Sequence, residues 1–201
     1  MTLPTTPSAV FRAALDLQRF CEEAGWSFCF IGGVALERWG VPRLTRDADM
    51  TIITRFELDD ECITKLLARF TPRRTDAAEF AARARVLLLQ HENGIGLDVA
   101  LGALDFEVRC MERSSPWQAR PGVALRTCSA EDLIVHKAFA SRLQDWADVE
   151  NILGVQRRRL NVAQILAELE PLAELKEDPS IIPRLKKMLR THGLLADGGE
   201  A

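Results

Sequence analysis

Two aspartates spaced two apart, Asp47 and Asp49, open the stretch of this 201-residue chain whose residue types can do chemistry. They stand at the mouth of an apolar segment, Met50 to Ile53, and follow a Gly32-Gly33 pair that ends an earlier one, Phe28 to Ile31. On a β-strand, residues i and i+2 point to one face, so both carboxylates would lie side by side with Ala48 and Met50 opposite. Like charges that close repel, and folding alone gives little reason to place them together. A divalent cation removes the conflict, and magnesium in particular takes one or two carboxylates together with phosphate oxygens of a substrate. Glycine lets the backbone turn sharply and lets a ligand approach its N–H groups. A helix that begins just after such a turn, here Val34 to Trp39, offers unpaired N–H groups and a positive dipole end to an anion. Gly-Gly alone is common in loops, and Asp-x-Asp alone is often a solvated turn. Their order and compact spacing are what point to a metal–nucleotide site.

The elements that must hold these residues follow from periodicity. Ser8 to Ala24 has apolar residues at helical spacing and is stopped by Gly25; Trp26 to Ile31 reads as an apolar central strand and Ala48 to Thr54 as a second. Leu58 to Phe70 is expected as a helix, residues 71–75 (TPRRT) as a loop, and residues 76–84 as a short helix. Val86 to His91 and Ile95 to Leu101 flank Asn93-Gly94, the pattern of a tight hairpin. Asp98 sits inside the second of these strands between Leu97 and Val99, where an acid costs free energy unless something pairs with it. Two placements remain open for it: solvent, from an edge strand, or convergence with Asp47 and Asp49 on an adjoining strand. Asp105 to Arg113 reads as a helix, 114–122 as a loop and Val123 to Cys128 as a strand. Ser129 caps the next helix, with Asp132 three residues on, and further helices cover Trp146 to Val155, Asn161 to Leu175 and Ile182 to Leu195. The tail from Ala196 is expected to fray.

The string Gly32-Gly33, then Arg43-x-Thr45-x-Asp47-x-Asp49 and hydrophobic residues, resembles the active-site motif of the nucleotidyltransferase superfamily that includes DNA polymerase β. Within it, the chain looks most like the AbiEii/AbiGii-type toxin nucleotidyltransferases and related bacterial proteins. The resemblance covers roughly the first 150 residues. It implies an α+β fold, a mixed sheet flanked by helices, with a catalytic core over residues 1–128 and a C-terminal helical region over 129–201. It implies that Asp47, Asp49 and Asp98 are catalytic and bind magnesium or manganese. Gly32, Gly33, Arg43, Thr45, Arg46 and Lys137 would bind the nucleotide. Where this chain has Gly33 many members have serine, so one phosphate-binding hydroxyl is missing. The segment EDLIVHKAFASR-x-x-D-W-x-D resembles the family's helical part, which sets Arg142, Asp145 and Asp148 in support beside Lys137. For Lys137 the competing reading is a surface lysine, and for Arg142 with Asp145 a local ion pair worth under ~1 kcal/mol.

The activity so implied is transfer of an NMP from an NTP to an acceptor hydroxyl, on tRNA or protein in a toxin–antitoxin setting with a cognate antitoxin as partner. The alternatives are a catalytically silent nucleotide-binding or antitoxin-like module, and a transferase for a small molecule such as an aminoglycoside antibiotic. Composition sets the outer bounds: 47% apolar and 27% charged residues are ordinary for a globular protein, and a net charge of −3 argues against a strongly basic nucleic-acid surface. The basic run Gln156 to Arg159 reads as a solvated face or as a contact for an RNA backbone. No run approaches about 18 apolar residues, and MTLPTTPSAV lacks the basic-then-apolar pattern of a signal peptide. The five cysteines show no C-x-x-C spacing and are expected as buried thiols in a reducing cytoplasm, without zinc. His91, His136 and His192 carry no ligand spacing.

Overall fold

The structure, a computed structural model, describes residues 9–196. The readings made for residues 1–8 and for the tail at 197–201 lie outside the described residues. The chain forms two compact units, one made of the segment up to Val34 with Arg43–Cys128, the other of Ala35–Pro42 with the chain from Ser129 onward.

In chain order the first unit holds α1 (Ala9–Glu23), β1 (Phe28–Phe30), the start of α2 (Gly32–Trp39), β2 (Asp47–Ile53), α3 (Asp59–Arg69) and β3 (Thr71–Pro72). It continues with α4 (Ala77–Ala84), β4 (Val86–Gln90), β5 (Gly96–Gly102), α5 (Asp105–Arg113), β6 (Ser115–Arg120) and β7 (Val123–Thr127). The seven strands form one mixed sheet in the order β3-β4-β5-β2-β1-β7-β6. β2 runs parallel to β5 and antiparallel to β1, and β1 runs parallel to β7. Strand alternation divides the faces: Phe28, Phe30, Ala48, Met50, Ile52, Leu97, Val99 and Leu101 join one core with Phe11, Ala14 and Leu17 of α1, Leu66 of α3 and Ala81 of α4. Asp47, Asp49 and Asp98 alternate with those core positions and so occupy the other face, where α5 contacts β2.

Two strands replace segments expected as loops. Thr71–Pro72 becomes β3 and Ser115–Arg120 becomes β6, and each is the outermost strand at its end of the sheet. Both carry a proline, Pro72 and Pro116, which weakens a strand reading from sequence but is tolerated at an edge, where one N–H needs no ladder partner. All five cysteines are buried free thiols; burial is the main reason Cys62 is pushed up to about 12 and Cys21 further still, so neither is a thiolate nucleophile.

The second unit is helical: α6 (Ala130–Ala140), α7 (Leu143–Gln156) ending in a 3₁₀ turn over Arg157–Arg159, α8 (Val162–Leu175) and α9 (Ile181–Thr191). Ser129 caps α6 as its sequence suggests, its hydroxyl accepting from the Asp132 backbone N–H at 3.0 Å. The segment Ala35–Pro42 belongs here because Gly40 lies against Leu36 and Ile152, and Gln156 Nε2 donates to the Trp39 carbonyl at 2.6 Å. Among the described residues no helix is long and apolar enough to cross a membrane.

Candidate active site

The parallel ladder between β2 and β5 sets Asp49 directly opposite Asp98 and Asp47 opposite Gly96. Partners in a parallel ladder share a face, so the three acids occupy neighbouring positions on one side of the sheet. β5 is interior, hydrogen-bonded to β4 on one flank and β2 on the other, so Asp98 is not an edge residue. Burial pushes the Asp98 carboxyl above the usual carboxylate range; Arg73 opposes this and the negative charge of Asp47 adds to it.

The glycine pair is shaped around Asp49 and Thr45. Gly32 has φ +56°, and a Cβ there would come within 2.0 Å of Asp49 Oδ2. A Cβ on Gly33 would come within 2.2 Å of Thr45 Oγ1, and the Gly33 N–H points to Asp49 Oδ2 at 3.4 Å. The turn that starts α2 is therefore pressed onto the start of β2, and only residues without side chains allow it. Thr45 Oγ1 donates toward the Asp47 carbonyl (3.3 Å) and its carboxylate (3.4 Å), which braces the start of β2. Arg46 is exposed and Arg43 half-buried, both on the loop leading into β2.

One side chain that reaches this face was not singled out by sequence. Arg73, just past β3, forms an ion pair with Asp98 through Nη2, and its Nη1 lies 3.2 Å from where a Gly96 Cβ would stand. The cue was present in the two arginines of TPRRT beside a hairpin that carries an acid. What could not be read was that Thr71–Pro72 pairs with β4, which aims the next residue across the sheet.

Among the described residues no three His, Cys, Asp or Glu side chains stand where they could hold a metal ion together. The donor set itself fits a hard divalent cation: carboxylates only, from two adjoining strands, with the Asp98 carboxyl already partly desolvated beside the charge of Asp47. Asp47, Asp49 and Asp98 are the carboxylates this face offers to a cation.

Lys137, Arg142, Asp145 and Asp148 belong to the second unit. Lys137 is 6% exposed, not a surface lysine. Its Nζ lies 3.1 Å from Asp145 Oδ1 and 2.8 Å from Asp148 Oδ2, and Arg142 Nε lies 2.6 Å from Asp145 Oδ2. The four form one network joining α6 to α7, with both carboxylates buried. Burial alone would raise the Asp145 carboxyl, but hydrogen bonds from Arg142 and Lys137 outweigh it and hold the group below its usual range.

No model of a known protein family matches the sequence, and no curated protein matches it. Solved structures do. An antigenic nucleotidyltransferase-like protein from Paracoccidioides brasiliensis superposes with a TM-score of 0.51 at 16% identity, over 94% of this chain and 95% of that one. ANT(2″)-Ia in complex with adenylyl-2″-tobramycin gives 0.53 at 12% identity, over 83% and 98%. The solution structure of ANT(2″)-Ia, an antibiotic-resistance factor, gives 0.50 at 11% identity, over 87% and 94%. These likenesses, at low identity, establish the architecture: the chain has a nucleotidyltransferase-like fold.

Proposed function

We propose that this protein is a metal-dependent nucleotidyltransferase that moves an NMP from an NTP to an acceptor hydroxyl. The observation that carries the proposal is the β2–β5 register, which brings Asp98 beside Asp49 on the face that also presents Asp47, next to the Gly32-Gly33 turn. Asp47, Asp49 and Asp98 would hold magnesium or manganese, which when bound supplies charge neutralisation on the transferring phosphoryl group. The rest belongs to the chain. The Gly32-Gly33 turn, at the positive end of α2, receives the triphosphate, and Arg43, Thr45 and Arg46 on the loop before β2 line its approach. Asp98 accepts the proton of the acceptor hydroxyl, a role its place beside Asp49 on the acidic face suits. The acceptor oxygen bonds to the α-phosphorus, the bond from that phosphorus to the bridging oxygen breaks, and pyrophosphate leaves with the electron pair.

The acceptor class is open to direct test. The toxin-like resemblance of the Arg43–Asp49 motif favours tRNA or protein, with a cognate antitoxin. The fold likeness to ANT(2″)-Ia, whose complex holds adenylyl-2″-tobramycin, supports including aminoglycosides. Incubation with α-labelled NTPs, magnesium and each acceptor should label one class in wild type and none in Asp98→Asn, whose melting should match wild type. Nucleotide binding without label on any acceptor would favour the silent binding module instead.

A further inference from the structure

We propose that Arg73 is a built-in counter-ion of the acidic face: in the free protein it neutralises Asp98, it competes with the divalent cation for that carboxylate, and once displaced it engages the nucleotide phosphates. This rests on the reading of Asp47, Asp49 and Asp98 as the metal–nucleotide site. Three features of the structure support it.

The first is the reach of the side chain. Arg73 leaves an edge strand two places from β5, with β4 between them. Its backbone N–H is fixed to the Leu88 carbonyl at 2.9 Å, and Leu88 is the register partner of Asp98. The side chain therefore runs across β4 along the row that ends in Asp98. The second is the space left for it. Gly96, the partner of Asp47 in the ladder, has no side chain, and a Cβ there would sit 3.2 Å from Arg73 Nη1 and 3.4 Å from Asp47 Cβ. The guanidinium thus lies over Gly96, on the side of Asp98 that faces the ladder partner of Asp47. The third is the division of labour in the arginine pair. Arg74 is held by Asp76 through two contacts, 2.8 Å and 3.0 Å, and lies over the Phe80 ring at 4.2 Å, so it has its own local partners. Arg73 is given to the acids.

The chemistry then forces a choice. A guanidinium stays charged at any working pH, and the Asp98 oxygen that holds it is not available to a cation. A metal ion arriving alone that takes this oxygen, by itself or with the second oxygen of Asp98, breaks the ion pair and leaves Arg73 without its partner. A metal ion arriving with a triphosphate offers Arg73 a new partner, because the planar fork of N–H donors that fits a carboxylate also fits phosphate oxygens. The side chain is about one-third exposed, so it is free to swing from one to the other. Metal and triphosphate each favour the state in which Arg73 has left Asp98, and each therefore raises the affinity of the other.

The experiment measures Mn2+ binding to the full chain by electron paramagnetic resonance, with and without a non-hydrolysable NTP, in wild type, Arg73→Ala, Arg73→Gln and Asp98→Asn, with melting as the folding control. The proposal expects Arg73→Ala and Arg73→Gln to bind Mn2+ alone about tenfold more tightly than wild type. It expects both to bind the NTP more weakly and to lose most of the gain in Mn2+ affinity that the NTP confers on wild type. A merely structural arginine would weaken both ligands or neither. Equal Mn2+ binding in wild type and both Arg73 variants, with Asp98→Asn weaker, overturns the counter-ion role and leaves the metal site standing. Mn2+ binding that is the same in Asp98→Asn as in all the others overturns both.

Discussion

At the scale of single residues, Gly32 shows how one missing side chain serves a site. Its left-handed backbone (φ +56°) and its contact with the Asp49 carboxylate are separate demands, and Gly25 offers a control, having φ +71° but nothing within 4 Å of an added Cβ. Gly25→Ala should cost about 1 kcal/mol from strain alone, whereas Gly32→Ala should reach the upper end of the 1–3 kcal/mol range and displace Asp49. Urea midpoints measure both, and the excess at Gly32 should shrink when Asp49→Ala removes the oxygen that a Cβ would strike. Gly33 makes the same point with a different partner: Gly33→Ala drives into Thr45 Oγ1, so a cycle of Gly33→Ala and Thr45→Ala should show coupling of about 0.5–3 kcal/mol. Additive costs would mean that Thr45 simply moves aside.

At the scale of elements, the α6–α7 hairpin is fastened by charge in a buried place. Lys137 serves two carboxylates that are themselves out of solvent, so Lys137→Ala would take a buried cationic partner from both, leaving Asp145 to Arg142. Removing one partner of such a network costs about 3–5 kcal/mol, against under 1 for an exposed pair, and chemical denaturation separates the two. The same network gives a pH dependence with a definite sign. Asp145 is held below its unfolded value of ~3.9, so its contribution is full above that pH and is lost as pH falls through the lower folded value. Stability should drop more steeply as pH falls below about 4 in wild type than in Asp145→Asn; parallel curves would show that the carboxylate contributes nothing. The arginines at 157–159 are exposed at the C-terminal end of α7, where positive charge favours the helix dipole, and Arg157 Nε donates to the Gly154 carbonyl at 3.1 Å.

At the scale of the whole molecule, the proposed site should bind to the native chain and not to the unfolded one, so magnesium with the preferred NTP should raise the melting temperature. A ligand at a hundred times its Kd stabilises by about 2.7 kcal/mol, and Asp47→Asn should abolish most of that shift. An equal shift in Asp47→Asn would place the binding elsewhere. Much of this chain was legible from its residues alone. Alternation around Met50 and Ile52, the 3.6-residue repeat of α1, the Asn93-Gly94 turn and the cap at Ser129 each depend on a few neighbouring residues, and backbone geometry converts such patterns into structure without help from afar. The residue types of the site, Asp47, Asp49 and the glycine pair, were legible for the same reason. Three things were not: that Asp98, which only the family resemblance joined to the other two acids, would stand opposite Asp49, that Arg73 would cross a strand to reach it, and that Lys137 would be buried between two acids. Each depends on which distant segments pair and in what register. That choice comes from the summed burial of many side chains over the whole sheet or helix bundle, a quantity that no local window of sequence contains.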